Sequence, residues 1–172
     1  VEALAKAKTA AEKDRVVKDD TTQVVRLAAH LCSSRCEEVL AGNSVFVQKL
    51  YDLGFRRVQV NATAANGVDT SKLAEQAPAV VRCIQAVLGM EWILQRNEET
   101  RPIWEHVLSE RAKSKENLRN VSVLFDDSVG TGVTRTSFPS PSVLEGAPPS
   151  GYAGGIGPAN IYSILKGIKD SV

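Results

Sequence analysis

Short apolar runs alternate along this chain with longer segments of helical periodicity. The apolar runs predict strands at residues 24–32, 57–62, 91–97, 121–126 and 151–155. Helical periodicity predicts helices at residues 1–18, 70–88, 101–113 and 158–169. It also predicts a helix that begins at residue 33, is interrupted at 41–43 and resumes over 44–53. Such alternation is typical of βαβ units, whose strands lie parallel in one sheet. The sequence therefore predicts an α/β fold, as a single domain over residues 1–172.

Proline, glycine and serine mark the predicted helix boundaries. Gly54 is expected to end one helix, and Pro102 and Pro158 are expected in the first turns of two others. The serines at 33–34 are expected to provide a side-chain cap for the helix that they begin. Pro78 falls inside a predicted helix, where its missing N–H predicts a split or a kink.

Charge and cysteine content narrow the range of partners. The chain has 172 residues, long enough for one domain with a real core. Its 21 basic and 20 acidic residues are interspersed, so neither nucleic acid nor a membrane surface is an expected partner. An odd count of 3 cysteines at irregular spacing favours reduced thiols and a cytoplasmic location. These numbers leave the oligomeric state open.

Two glycine-bearing turns follow the last two predicted strands. One contains Gly130, Thr131 and Gly132, and the other contains Gly154 and Gly155. Glycine allows positive φ and a close approach of the backbone to a ligand. The second turn leads into a helix, whose free N–H groups and dipole suit an anion. The pattern favours an α/β barrel that binds a small phosphorylated metabolite, although the second turn could serve only close packing of helix on strand.

Both turns, with their strands, resemble the sixth and seventh strand–loop units of the phosphoribosylanthranilate isomerase family. These enzymes of tryptophan synthesis are (β/α)8 barrels. The resemblance is carried by Leu-Phe-Asp at 124–126, Gly-Thr-Gly at 130–132, and Ala-Gly-Gly-Ile-Gly-Pro-Ala-Asn-Ile at 153–161. A weaker match is Arg-Val-Gln-Val-Asn at 57–61, which resembles a Val-Gln-Leu-His strand of the family. The resemblance is specific only over the last part of the chain.

The resemblance implies a parallel (β/α)8 TIM-type barrel. The first and eighth strands of such a barrel are not evident in this sequence. The resemblance also implies an acid–base, Amadori-type isomerisation of a phosphorylated sugar adduct without a cofactor. Asp126 would be the general acid, and the two glycine turns would contact the phosphate. The family's Lys-x-Cys-Gly motif, which carries its general base, does not occur; the nearest segment, 30–33, is expected to end the second strand. A barrel that binds a phosphorylated metabolite, with a different activity or none, is therefore the alternative.

Polar side chains stand at the ends of several predicted strands. Because side chains alternate along a strand, the amides at 59 and 61, and those at 95 and 97, share a face, as do His30 and Cys32. Barrel enzymes build their sites at the carboxyl ends of strands, where Asp126 also lies. The expected substrate contacts are His30, Cys32, Gln59, Asn61, Gln95 and Asn97. Alternatively, these groups could only satisfy one another inside the protein.

The remaining cysteines and the tryptophans are expected to serve packing. His30, Cys32 and Cys36 have a spacing that matches no common zinc site, so no metal is expected. Cys83 falls on the apolar face of a predicted helix. Trp92 and Trp104 fit packing between strand and helix better than base stacking.

Overall fold

A computed structural model describes residues 27–114, 116–126 and 147–170 of the chain. It contains one parallel sheet whose five strands are neighbours in chain order. The strands are β1 Ala28–Leu31, β2 Arg57–Val60, β3 Glu91–Arg96, β4 Val121–Phe125 and β5 Ser150–Tyr152. The predicted α/β class and the parallel sheet are confirmed. The predicted fifth strand was too long, because the chain turns at Gly154 and Gly155.

Helices connect the strands. They are α1 Ser33–Leu40, α2 Val45–Asp52, α3 Leu73–Ala86, α4 Arg101–Lys113 and α5 Ile161–Asp170, with 3₁₀ turns at Ala64–Asn66, Thr70–Lys72 and Glu116–Leu118. The helix predicted at 1–18 lies outside the described residues. None of the helices in the described ranges is long and apolar enough to cross a membrane.

The helix boundaries confirm two of the predicted signals and correct two. Pro102 lies in the first turn of α4, as predicted. Gly54 has φ +91°, and it follows α2 in a Schellman arrangement that satisfies the last carbonyls of the helix. The predicted serine cap on α1 is wrong: Cys32 stands at the N-cap without a side-chain cap bond, and Ser33 adopts φ +46°. Pro158 lies in a turn before α5, which begins only at Ile161.

The helix α3 continues through Pro78, so the predicted split does not occur. In a helix, a residue at position 78 would normally donate to the carbonyl of Ala74. Both residues are exposed, so solvent can satisfy the carbonyl that proline leaves without a donor. The missing bond is therefore tolerated on the outer side of the helix.

The hydrophobic core lies between the sheet and one layer of helices. Helix α3 contacts α1 and α4, which places these helices on the same side of the sheet. Strand side chains that point to this layer are buried: Val58, Val60, Trp92, Leu94, Val121 and Val123. Cys36 and Cys83 are buried in the same core, as predicted for Cys83. In a doubly wound fold, the strand order reverses and helices cover both faces of the sheet. Parallel strands in sequential order with helices on one face are instead typical of a barrel segment.

An aromatic stack on the helix side links the last three strands. The guanidinium carbon of Arg96 lies 4.4 Å from the ring centre of Trp104 and 4.9 Å from that of Phe125. Phe125 in turn stacks on Tyr152, with the two ring centres 5.4 Å apart. Trp104 therefore packs between strand and helix, as predicted, and holds the Arg96 side chain over its ring.

Candidate functional site

The face of the sheet opposite the helices is rich in polar side chains. Every second strand residue points to it, and we call this set the polar face: Ala28, His30, Arg57, Gln59, Glu91, Ile93, Gln95, Ser122 and Leu124. Because the strands are parallel, the residues that follow them lie at the same end of the sheet. We call that end the carboxyl edge; it includes Cys32, Asn61, Asn97 and Asp126. The structure therefore brings the predicted strand-end residues of the described ranges to one edge.

Asp126, the predicted general acid, is held against β3 by two amide side chains. Gln95 Nε2 donates to its carboxylate oxygen Oδ2 at 3.1 Å. Asn97 Nδ2 donates to its backbone carbonyl at 3.2 Å. The residue is half-buried. The two bonds fix both its side chain and its backbone, so the position of the carboxylate is set from the neighbouring strand.

Asn97 is braced by a residue that the sequence did not single out. Thr100 donates from its backbone N–H to Asn97 Oδ1 at 2.9 Å, and from its hydroxyl to the backbone carbonyl of Gln95 at 2.6 Å. The indole N–H of Trp104 donates to the backbone carbonyl of Asn97 at 2.9 Å. Asn97 is 7% exposed, and these bonds tie it into the turn between β3 and α4. Its amide thus positions Asp126.

Gln95 carries an unsatisfied acceptor at the carboxyl edge. The side chain is buried, with 4% of the residue exposed. Its Nε2 bonds to Asp126, but its Oε1 is buried without any hydrogen-bond partner. Buried polar atoms of native proteins are nearly always bonded, so such an atom needs an explanation.

Asn61, which follows β2, is satisfied by Gln59 and by the backbone of β1. Gln59 Nε2 donates to Asn61 Oδ1 at 2.7 Å. Asn61 Nδ2 donates to the carbonyl of Leu31 at 3.2 Å, and Asn61 is 1% exposed. This internal pairing is the alternative that the sequence left open. Gln59 is half-buried and lies on the polar face.

His30 and Cys32 form a second polar group at the end of β1. The sulfur of Cys32 lies 3.4 Å from His30 Nδ1 and donates to Asn66 Oδ1 at 3.5 Å. Asn66, which the sequence did not single out, is oriented by its own bond to Thr63 Oγ1 at 2.7 Å. His30 is exposed and Cys32 half-buried. This group is three strand spacings from β4, or about 14 Å along a flat sheet.

The glycine turn after β5 adopts the predicted positive φ angles. Gly154 has φ +99° and Gly155 φ +62°. Asn160, just before α5, closes the turn: its Oδ1 accepts from the N–H of Gly157 at 2.8 Å, and its Nδ2 donates to the carbonyl of Gly155 at 2.7 Å. Only glycine adopts such angles freely, so the turn is built on a conformation that a side chain would strain. The asparagine in the Pro-Ala-Asn segment was the available sequence signal for this closure.

Other predicted features contribute less or cannot be placed. Gly130, Thr131 and Gly132 lie outside the described residues. Within the described ranges, no group of three or more His, Cys, Asp or Glu side chains could hold a metal ion. Burial raises the pKa of the Cys36 thiol to about 12, and that of Cys83 to about 11. Both thiols therefore belong to the core and stay protonated at neutral pH.

Comparisons of this chain with protein-family models, curated proteins and solved structures found no match. A functional assignment therefore depends on two things. One is the geometry of the carboxyl edge, and the other is the resemblance carried by the residues at 124–126 and 153–161.

Proposed function

We propose that the protein binds a phosphorylated sugar at the carboxyl edge of a (β/α)8 barrel and isomerises it by acid–base catalysis, as phosphoribosylanthranilate isomerases do. The observation that carries the proposal is the position of Asp126 beside the Gly154–Gly155 turn. Phe125 pairs with Tyr152, and Ala153 donates to the carbonyl of Phe125 at 2.9 Å. The carboxylate and the turn thus end neighbouring strands, about 5 Å apart, a separation that one sugar phosphate can bridge.

The turn supplies the phosphate site in this proposal. Asn160 already accepts from the N–H of Gly157, so an anion would bind through the N–H groups of Gly154 and Ile156. The amino end of α5 adds the favourable end of its dipole. Glycine at 154 and 155 has no side chain that would block the approach of such a ligand.

Asp126 supplies the proton transfer. An Amadori-type rearrangement needs an acid that opens the furanose ring and a base that removes the proton from C2. In our proposal, Asp126 exchanges a proton with the ring oxygen, and Gln95 holds the carboxylate in place. Gln95 and Asn97 are positioning residues for this step.

The resemblance also numbers the strands of the proposed barrel. If β4 and β5 are the sixth and seventh strands, the chain order makes β1 the third. His30 and Cys32 would then end the third strand, whereas the sequence pattern placed them at the end of the second. The strand that carries the general base in the family would precede the described residues.

A second candidate function is binding of a phosphorylated metabolite without this isomerisation. The observation in its favour is the distance between the candidate groups. The His30–Cys32 pair could act as a base, but it lies on β1, about 14 Å along the sheet from β4. Ring oxygen and C2 of one sugar are much closer together than three strand spacings, which disfavours this pair as the base that would act with Asp126 on one sugar.

Two experiments separate these functions. The first is growth of a strain that lacks phosphoribosylanthranilate isomerase, rescued by the full-length protein but not by Asp126→Asn. The second is an NMR titration with inorganic phosphate of the wild type, Gly155→Val and Gly157→Ala. Valine is strained at φ +62°, so Gly155→Val should lose binding. At Gly157, an added Cβ meets no atom within 4 Å, so the alanine variant is the matched control.

The combined outcomes decide between the candidates. Rescue together with Gly155-dependent phosphate binding supports the isomerase. Phosphate binding without rescue by a well-expressed protein supports the binding barrel. Equal phosphate responses from wild type and Gly155→Val would show that the turn is a packing device, and both proposals would fail.

A further inference from the structure

We infer that Gln95 and Asp126 form a subsite for two adjacent hydroxyl groups of the ligand, with Gln95 Oε1 accepting a hydrogen bond from one of them. The inference rests on the proposed function, since it assigns the sugar part of the phosphorylated ligand. It makes Gln95 a specificity-determining residue in addition to its role in positioning Asp126.

The unsatisfied oxygen of Gln95 is distinguished by its location. Side chains of Gln76 and Asn120 also carry a buried oxygen without a hydrogen-bond partner. Gln76 lies in helix α3, and Asn120 lies at the opposite end of the sheet, where its Nδ2 donates to the carbonyl of Met90 at 2.9 Å. Among these three oxygens, only that of Gln95 is at the carboxyl edge next to a carboxylate. Its missing donor is therefore one that a ligand at this edge can provide.

The orientation of the Gln95 amide follows from its neighbour. Asp126 Oδ2 is the acceptor of this hydrogen bond, so the amide nitrogen of Gln95 has to face it, as it does at 3.1 Å. A flipped amide would place two acceptors against each other. Oε1 consequently remains an acceptor without a donor, and the ligand atom that meets it has to carry a hydrogen.

The pair of acceptors defines the chemical class of the ligand group. The amide oxygen of Gln95 lies beside the carboxylate of Asp126, because both flank the same hydrogen bond. Two hydroxyls on neighbouring sugar carbons can donate to such a pair, one to each residue. A site with a buried acceptor discriminates against an analogue that lacks the hydroxyl, because the acceptor then stays unpaired. We therefore expect a preference for the 2,3-diol of a ribose phosphate over the corresponding deoxy sugar.

The test compares ribose 5-phosphate, 2-deoxyribose 5-phosphate and inorganic phosphate by NMR titration. The proteins are wild type, Gln95→Met and Gln76→Met. The wild type should bind ribose 5-phosphate about tenfold more tightly than the deoxy sugar, the discrimination of one good hydrogen bond. Gln95→Met should bind both sugars equally and keep the wild-type affinity for inorganic phosphate. Gln76→Met removes the same kind of unsatisfied oxygen far from the edge, and it should keep the tenfold preference.

Each outcome bears on one proposal. Equal binding of the two sugars by the wild type, or a preference that persists in Gln95→Met, overturns the inference. If inorganic phosphate binds in the wild type without any preference between the sugars, the proposed phosphate site stands and the diol subsite fails. If no compound binds, both fail. Should Gln95→Met not fold, the wild-type side-chain amide signals of Gln95 decide: they should shift with ribose 5-phosphate and not with inorganic phosphate.

Discussion

The carboxylates at the two ends of the polar face have different hydrogen-bond partners. At the amino end, Arg57 forms a two-point ion pair with Glu91, at 2.7 Å and 2.9 Å, and Ser122 donates to the same carboxylate at 2.8 Å. At the carboxyl end, Asp126 receives a bond from Gln95, whose own oxygen remains without a donor. Both ends place a carboxylate on the same face of the same sheet.

The difference shows how one face can serve two purposes. The ion pair of Arg57 and Glu91 supplies its own donors, so a ligand would gain little there. At the carboxyl edge, Gln95 Oε1 is a buried acceptor without a donor, which suits a ligand that carries hydroxyl groups. Barrel proteins separate their roles in the same way, with stability at the amino end and chemistry at the carboxyl end.

Exchanging each carboxylate for its amide tests this separation most directly. Asp126→Asn should lower the proposed isomerase activity by about 100-fold or more, because an amide does not transfer a proton. Glu91→Gln should leave activity within about twofold, since it lies at the opposite end of the strands. Assays of kcat/KM for the purified variants provide the measurement. A large loss in Glu91→Gln with normal stability would show that the two ends are not independent.

Thiol reactivity distinguishes the carboxyl edge from the core. With a pKa of about 11 against an ordinary 9.0, Cys83 contains about 100-fold less thiolate than an unperturbed thiol at pH 8, and Cys36 contains still less. Cys32 is half-buried while the other two thiols are buried, so we expect Cys32 to react first with iodoacetamide. Mass spectrometry of peptides after timed alkylation gives the order. Early labelling of Cys36 in the folded protein would contradict the buried position that we describe.

The amino-end ion pair should make stability depend on acidity. Arg57 lowers the pKa of Glu91 below its ordinary 4.5, so the folded state binds fewer protons at this site than the unfolded state. Its contribution is complete above that ordinary value and is lost as the pH falls through the lowered one. Since both side chains are partly exposed, we expect Glu91→Gln to cost about 1 kcal/mol at pH 7.

Urea unfolding of wild type and Glu91→Gln at pH 7 and at pH 3 measures this contribution. The difference between the two proteins should shrink at the lower pH. A difference that stays constant would assign the effect to packing and not to charge.

The smallest expected effect concerns the hydroxyl of the same network. Ser122→Ala removes one donor to Glu91, which keeps both bonds from Arg57. We expect a loss of about 0.5 kcal/mol in urea unfolding, near the lower limit for one hydrogen bond. A loss above that of Glu91→Gln would show that Ser122 has a packing role of its own.

The sequence predicted the fold better than it predicted the site. Apolar runs and helical periodicity are local patterns, and they located all five strands because each element buries its own apolar side. The bond between Gln95 and Asp126 joins residues on different strands, and its geometry depends on the register of β3 against β4. No local pattern indicates that Asn61 is satisfied by Gln59 while Gln95 keeps an open acceptor. The contact between Cys32 and Asn66 was missed for the same reason, whereas Asn160 closes its turn through local contacts that the Pro-Ala-Asn segment signalled.

The indole of Trp104 connects the aromatic stack to the carboxyl edge. It lies over the Arg96 guanidinium, and its N–H bonds to Asn97, the residue that also holds the backbone of Asp126. Indole emission responds to the charges and hydrogen bonds around the ring, whereas Trp92 is fully buried in the core. In a Trp92→Phe variant, Trp104 would consequently be the remaining tryptophan, and its indole is hydrogen-bonded to Asn97 at the carboxyl edge. Its spectrum would register changes at that edge without any attached dye.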